Sequence, residues 1–407
     1  MIACGRLVET DCGAFKIHIP HATIGDTVRV GARGEVVARV RELHGSYATV
    51  VPLQSCDGIA LGAPVRVEFA GDTLALGMCA LGTVLDAAGN VLHGKRLDGP
   101  RVSLGVRPCL PHERTPIVQP FWTGVRAIDG LLTFGRGARI GVFGAPGCGK
   151  STLIEEIVAG SVADAVVVAL IGERGREARR WFDAVDARTT IVCATSDRSA
   201  AERVRAAAIA AAQAWALSRR GLHVVMLFDS LARFAAALRE LAVSAGEPAG
   251  RGGYPASVFA DVARLVETAG NFHCGSITLL ASVLDDGDER DPVSDAARSL
   301  LDGHIALSSR LAAQGRFPAI DVLNSASRTM TAVVEPQHLR DAAAVRRALS
   351  LLERTEDARS LGIAPEGVLA RSAVAAQERL EAFLFRGGAT ARSQDTLDEL
   401  RELAAVL

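Results

Sequence analysis

Between residues 26 and 53 apolar and polar positions alternate in short runs. The stretches "DTVRV", "GEVVARVRE" and "YATVVPL" keep a period of two, and the turns "GARG" and "LHGS" separate them. Alternation of this length between glycine-containing turns is the mark of half-buried strands. Several such strands in succession, with no helix-length apolar pattern before residue 100, predict a small β-barrel over residues 1–68.

From about residue 138 the rhythm becomes buried strand, glycine turn, helix, and repeats. "RIGVF" precedes a glycine loop and a helix, "AVVVALI" runs into "GERGRE", and "TTIVCAT" precedes a long alanine-rich helix opening at Ser199-Ala-Ala-Glu202. That S-x-x-E spacing is a capping box. "HVVMLF" and "SITLLASVL" follow. Continuous apolar strands alternating with helices predict an α/β fold whose parallel sheet is covered on both faces. Ligands of such sheets bind at the carboxyl ends of the strands. Beyond residue 332 strand patterns vanish; "DAAAVRRALSLLERTEDARSL" and "ARSAVAAQERLEAFLF" carry helical spacing, joined by "GIAPEG", with "GGATARSQD" as a loop before the last helix.

Composition narrows the classes of function. A net charge of −1 and 4% aromatic residues argue against a nucleic-acid-binding surface. The longest alanine-rich apolar run, Ala206 to Leu217, is shorter than the ~18 residues of a membrane span. The start "MIACGRLVETDC" lacks the basic and apolar blocks of a signal peptide, so a cytosolic protein is expected. Its eight cysteines show no C-x-x-C spacing and read as reduced thiols. His18 and His21 read as strand surface rather than metal ligands.

Only three of the 45 basic residues are lysine, and one of them, Lys150, sits inside "GVFGAPGCGKSTLI". Gly144-x-x-x-x-Gly149-Lys150-Ser151 is a complete phosphate-binding loop between a predicted strand and a predicted helix. Gly144, Ala145, Pro146, Gly147, Cys148 and Gly149 form the loop, whose glycines let the backbone N–H groups, all but the missing one of proline, turn inward. Lys150 is a compact charge for the β/γ-phosphates where the broader arginine fork does not fit. Ser151, followed by Thr152, offers a hydroxyl to Mg²⁺. Cys148 is a candidate reactive thiol, because loop amides and Lys150 favour a thiolate, or else a small residue that fits. Asp229 ends the strand "HVVMLF" and is the candidate second metal-side acid, or a helix cap. Glu173 leaves the strand "AVVVALI" where a carboxylate could orient an attacking water, with Arg174 beside it to neutralise charge.

Taken together, "GAPGCGKST", "IGERGRE", "VVMLFDSLARF", "AGEPAGRGGYPASVF" and "DGHIALSSRLAAQGRFPAIDVLNSASRTM" resemble the type III secretion ATPases, relatives of the flagellar export ATPase and of the catalytic subunit of rotary ATP synthase. The resemblance runs through nearly the whole chain. It implies a RecA-like P-loop core at 69–332 between an N-terminal barrel at 1–68 and a C-terminal helical domain at 333–407. It also implies a homohexamer that hydrolyses ATP with Mg²⁺ at the cytoplasmic face of the inner membrane. The implied partners are stator and central stalk proteins, chaperone–cargo complexes and the export gate.

Position by position, the resemblance makes Lys150 and Ser151 the phosphate and Mg²⁺ residues and Glu173 the water-activating base. Arg174 stands beside the γ-phosphate, Asp229 is the metal-side acid, and Arg233 follows it on the next helix. Phe317 lies against adenine, and Arg328 is the arginine finger reaching a neighbouring subunit. Because Glu173 and Arg328 occur in one chain, identical subunits are expected to complete each other's sites. Leu323 and the "GAPG" form of the loop look closer to injectisome members than to flagellar ones. Two departures stand out. The barrel pattern begins almost at Met1, without the helical segment family members usually carry, which puts membrane docking in doubt. Ala249, Gly252 and Ala256 replace the usual proline, arginine and proline of a stalk-facing loop. The Rho helicase shares the core and the hexamer, but the charge and the absence of a stacking aromatic motif in the barrel argue against an RNA motor.

Overall fold

The computed structural model describes residues 4–11, 14–53, 56–69, 71–105, 109–285, 291–361, 367–386 and 391–407. The acidic stretch at 286–290 and the loop stretches at 362–366 and 387–390 lie outside them. The described residues fall into two compact units, one made of 1–109 with 165–268 and the other of 110–164 with 269–407.

Six strands near the N-terminus, β1 (Cys4–Asp11), β2 (Ala14–His18), β3 (Thr27–Val30), β4 (Val36–His44), β5 (Tyr47–Pro52) and β6 (Pro64–Phe69), form a closed antiparallel barrel in the order β1-β2-β5-β4-β3-β6. The two-residue alternation of the sequence is why it closes around a core. Ile17, Val28, Val40 and Val50 are fully enclosed, while Lys16 and His18 point outward on the same strand. Closure leaves no strand edge in need of covering. The His18 ring packs edge-on against Tyr47 at 5.2 Å, a surface arrangement, and His21 is exposed.

The principal later strands are β7 (Thr83–Leu85), β8 (Val91–His93), β9 (Arg139–Gly144), β10 (Ala165–Ile171), β11 (Thr189–Ala194), β12 (His223–Asp229), β13 (Ser276–Leu284), β14 (Gly303–Leu307) and β15 (Ile320–Ser327). The principal helices are α1 (Lys150–Gly160), α2 (Gly175–Asp183), α3 (Ala200–Ser218), α4 (Leu231–Ser244), α5 (Ala256–Val266), α6 (Pro292–Leu300), α7 (Pro336–Arg354), α8 (Gln377–Leu384) and α9 (Ser393–Ala405).

In the first unit β12, β10, β11 and β7 run parallel in that order, and β8 closes the edge antiparallel to β7. Every residue of β10 is buried, as a strand covered on both faces requires. Helix α3 packs on β10, β11 and β12. Its buried face is built from Ala206, Ala207, Ala210, Ala211 and Ala214, small side chains that let the helix approach the sheet closely. Its start is the predicted capping box: the Ser199 hydroxyl accepts from Glu202 N–H, and Glu202 accepts from Ser199 N–H at 2.9 Å.

The segment leaving the barrel is fastened to this helix. Arg205, buried on α3, pairs with buried Asp72 and donates to the carbonyl of Ala87 at 2.8 Å. Gln213 accepts from Gly77 N–H at 2.6 Å and donates to the Gly77 carbonyl at 3.0 Å. Between α4 and α5 the Arg239 guanidinium lies 5.3 Å from the centre of the Tyr254 ring, and Gly252 adopts a left-handed φ of 62°.

In the second unit β9 is parallel to both β13 and β14, while β15 is antiparallel to β14. The sheet is therefore mixed at its edges, where the sequence predicts a parallel one. Helices α7, α8 and α9 pack together, with Phe383 and Leu400 enclosed. Gly130 allows the close approach of α8, since a Cβ there would stand 2.8 Å from Phe383 Cζ. Among the described residues no helix is long and apolar enough to cross a membrane.

Candidate active site

Strand β9 delivers the phosphate loop. Gly147 and Gly149 hold left-handed φ values of 84° and 91°, conformations in which glycine alone is unstrained, and Gly149 is the N-cap of α1. The loop thus ends on a helix N-terminus whose first amides and dipole favour an anion. Pro146, Gly147, Ser151 and Thr152 are exposed, while Gly144 is buried and Ala145 half-buried. Lys150 Nζ donates to the carbonyl of Gly144 and, at 3.4 Å, to that of Ala145.

Cys148 departs from one of its two expected roles. Its side chain is only 2% exposed and its Sγ–H donates to the Ala145 carbonyl at 2.8 Å. The thiol is packed beneath the loop rather than presented to solvent. Gly144 has no room for a side chain because a Cβ there would come within 2.6 Å of that sulfur.

Phe317 comes to the same loop. A Cβ at Gly149 would sit 3.5 Å from Phe317 Cε1, and the ring is 46% exposed, an uncommonly open position for a phenylalanine beside a glycine turn. Its bond to Pro318 is cis. Arg328 follows β15 and is exposed; its amide donates to the Asp302 carbonyl at 2.9 Å.

A second group gathers in the first unit, at the carboxyl ends of β10 and β12. Glu173 follows β10 and is buried. Arg233, on the first turn of α4, places Nη1 2.6 Å from Glu173 Oε1 and donates at 2.6 Å to the Gly172 carbonyl. Gly172 must be glycine: its φ is 75°, and a Cβ would stand 3.1 Å from Arg233 Cδ. Asp229 ends β12, its peptide to Ser230 is cis, and Ser230 caps α4 by accepting from Arg233 N–H. Arg174 is exposed at the N-cap of α2.

Burial pushes the Glu173 carboxyl up to about 8, with the hydrogen bond to Glu177 and the charge of Asp229 adding to it and Arg233 opposing. Glu177 is held below the usual carboxylate range, first by that same hydrogen bond. Their hydrogen bond thus raises the proton affinity of Glu173 and lowers that of Glu177. Sequence reasoning passed over Glu177, although its spacing of four from Glu173 inside "GERGRE" was a usable signal.

The described residues can therefore cradle phosphate at one cluster and hold a carboxyl of raised proton affinity at another. A model of the ATP synthase alpha/beta family nucleotide-binding domain matches residues 124–327. The type 3 secretion system ATPase of Pseudomonas syringae pv. syringae is 40% identical over 422 aligned positions, covering 99% of this chain and 94% of that protein. This chain belongs to the ATP synthase alpha/beta family, among the type III secretion ATPases. The flagellum-specific ATP synthase of Pseudomonas aeruginosa is 43% identical over 347 positions, 81% of this chain and 75% of that protein. The assembled ATPase EscN in complex with its central stalk EscO, from the type III secretion system of enteropathogenic E. coli, superposes with a TM-score of 0.90 at 34% identity, covering 98% of this chain and all of that one. The chain is thus a type III secretion ATPase built as an N-terminal barrel, a RecA-like P-loop α/β core and C-terminal helices, and ATP is its nucleotide.

Proposed function

We propose that this ATPase works as a homohexamer in a type III protein secretion apparatus, using hydrolysis to release chaperones and to unfold and export their cargo. The single observation that carries the catalytic reading is the buried Glu173, bonded to Arg233, whose carboxyl is pushed up to about 8 and so serves as a strong base once its own proton has left. Lys150 and the loop amides from Gly144 to Thr152 hold the β/γ-phosphates, and Phe317 lies against the base. Glu173 orients the attacking water. Arg174 and, from a neighbouring subunit, Arg328 neutralise the transferring charge.

A magnesium ion suits the oxygens on offer. The Ser151 hydroxyl and the Asp229 carboxylate are hard donors. Among the described residues no cluster of three His, Cys, Asp or Glu side chains forms a metal site by itself, which accords with an ion held largely by phosphate and water. When bound, Mg²⁺ neutralises charge on the β- and γ-phosphate oxygens.

The functional division at 1–68, 69–332 and 333–407 belongs to the same proposal, as does a position at the cytoplasmic face of the inner membrane. So do contacts with a stator, chaperone–cargo complexes and the export gate. A central stalk is supported by the EscN relative, which is described with EscO. Flagellar export is the second reading, supported by the 43% identity to the flagellum-specific protein. The superposition on EscN, a type III secretion ATPase, over 98% of this chain favours the first.

ATPase activity per subunit measured against protein concentration, with Glu173→Gln and Arg328→Ala alongside, tests the shared-site reading. Activity should rise with concentration, both variants should be inactive alone, and a mixture of the two should recover part of the rate. Flat activity with a harmless Arg328→Ala would leave a self-contained hydrolase instead.

A further inference from the structure

The base of the phosphate loop is braced by a residue to which the catalytic reading gives no part. Arg298, on α6, forms an ion pair with Asp285, the residue that follows β13. The same guanidinium lies 4.3 Å from the centre of the Phe143 ring. Phe143 is almost fully buried and immediately precedes Gly144, where the loop begins. A second contact with that ring comes from His304, edge-on at 5.9 Å.

These contacts converge on one carbonyl. Gly144 O accepts from the backbone N–H of Asp285 at 3.3 Å and also from Lys150 Nζ. When Lys150 turns to a phosphate, the Asp285 amide is the donor that still holds this carbonyl. Arg298 grips both sides of the arrangement, the side chain of the residue that supplies the amide and the ring one residue before the carbonyl.

We propose that Arg298 is a positioning residue for nucleotide binding, fixing the Gly144 carbonyl through Asp285 and Phe143 and so setting where Lys150 and the loop amides meet the phosphates. This rests on the reading of Gly144–Thr152 as the phosphate site. A planar cation that pairs with a carboxylate edge-on while covering an aromatic face is a task for arginine, and lysine reproduces the charge but only part of the geometry.

The test is steady-state ATP hydrolysis by Arg298→Met, Arg298→Lys and Asp285→Asn, with thermal unfolding of each and Lys150→Ala as reference. Arg298→Met should raise KM for ATP about tenfold, as loss of a charge-assisted pair and a cation–π contact implies, while kcat stays within about twofold. Arg298→Lys should recover part of that rise, Asp285→Asn should resemble Arg298→Met, and the unfolding temperature should hold. An unchanged KM in Arg298→Met with an inactive Lys150→Ala overturns the positioning role and leaves the phosphate site intact. A loss of kcat that follows a fall in unfolding temperature, with no recovery by lysine, reduces Arg298 to a structural contact and also overturns it. An active Lys150→Ala removes the phosphate-site reading itself.

Discussion

Arg233 holds Glu173 through a single nitrogen, Nη1, which lies 2.6 Å from Glu173 Oε1 and at the same distance from the Gly172 carbonyl. The arginine thereby sets both the direction of the carboxyl and its charge state, since its positive charge opposes the upward push of burial. Replacing it with alanine removes that opposition. Arg233→Ala should lower kcat at neutral pH by about tenfold or more and move the rising limb of the pH–rate profile to higher pH. Arg233→Lys, which keeps the charge, should move that limb much less.

The limb itself is the second prediction. Glu173 is pushed up to about 8, and a general base acts deprotonated. Raising the pH strips its proton, so log kcat should climb with pH up to about 8 and level off above it. Stability runs the opposite way for this group. The folded chain keeps a proton that the unfolded chain releases above 4.5, so its contribution to stability declines as pH rises from 4.5 towards 8. A rate profile flat from pH 6 to 9 with chemistry rate-limiting would remove Glu173 as the base.

Phe317 offers an open aromatic face beside Gly149. Stacking of a base on such a face is worth about 1–3 kcal/mol, so Phe317→Ala should raise KM for ATP roughly tenfold and leave kcat nearly unchanged. Phe317→Tyr should keep the wild-type KM. Titration of a fluorescent ATP analogue would separate binding from turnover.

Arg205 and Asp72 form an ion pair in which both side chains are almost fully enclosed. Removing Asp72 strands the buried Arg205 charge, and removing Arg205 leaves the buried Asp72 carboxylate with only the half-exposed Arg39, 3.6 Å away. Arg205→Ala or Asp72→Ala should destabilise the first unit by about 3–5 kcal/mol, whereas the double change to Met and Leu should cost far less. Urea unfolding followed by circular dichroism measures the difference.

What could be read from sequence was whatever is local. The phosphate loop, the capping box at Ser199 and Glu202, and the strands ending at Gly144, Ile171 and Asp229 depend on spacing within a few residues, and each lies where its pattern puts it. The edge hairpin of β7 and β8 was missed because its strands span only three residues each, too few to carry a period. The Arg205–Asp72 pair joins positions 133 residues apart, and nothing in either neighbourhood announces the other. Cys148 was legible as part of the loop but not as buried, because the direction of its thiol depends on Gly144 and Ala145 folding back over it. Resemblance supplied Phe317 and Arg328, whose local sequences carry no chemistry of their own.

The first unit places the barrel and the Glu173 strand in one piece of folded chain, fastened by Arg205 to Asp72 and by Gln213 to Gly77, whereas the phosphate loop belongs to the unit that holds the C-terminal helices. The barrel is thus a handle on the acid side of the chemistry. Arg39 of β4 lies 3.6 Å from the Asp72 carboxylate that Arg205 also holds, so barrel wall, exit segment and α3 share one set of charged contacts.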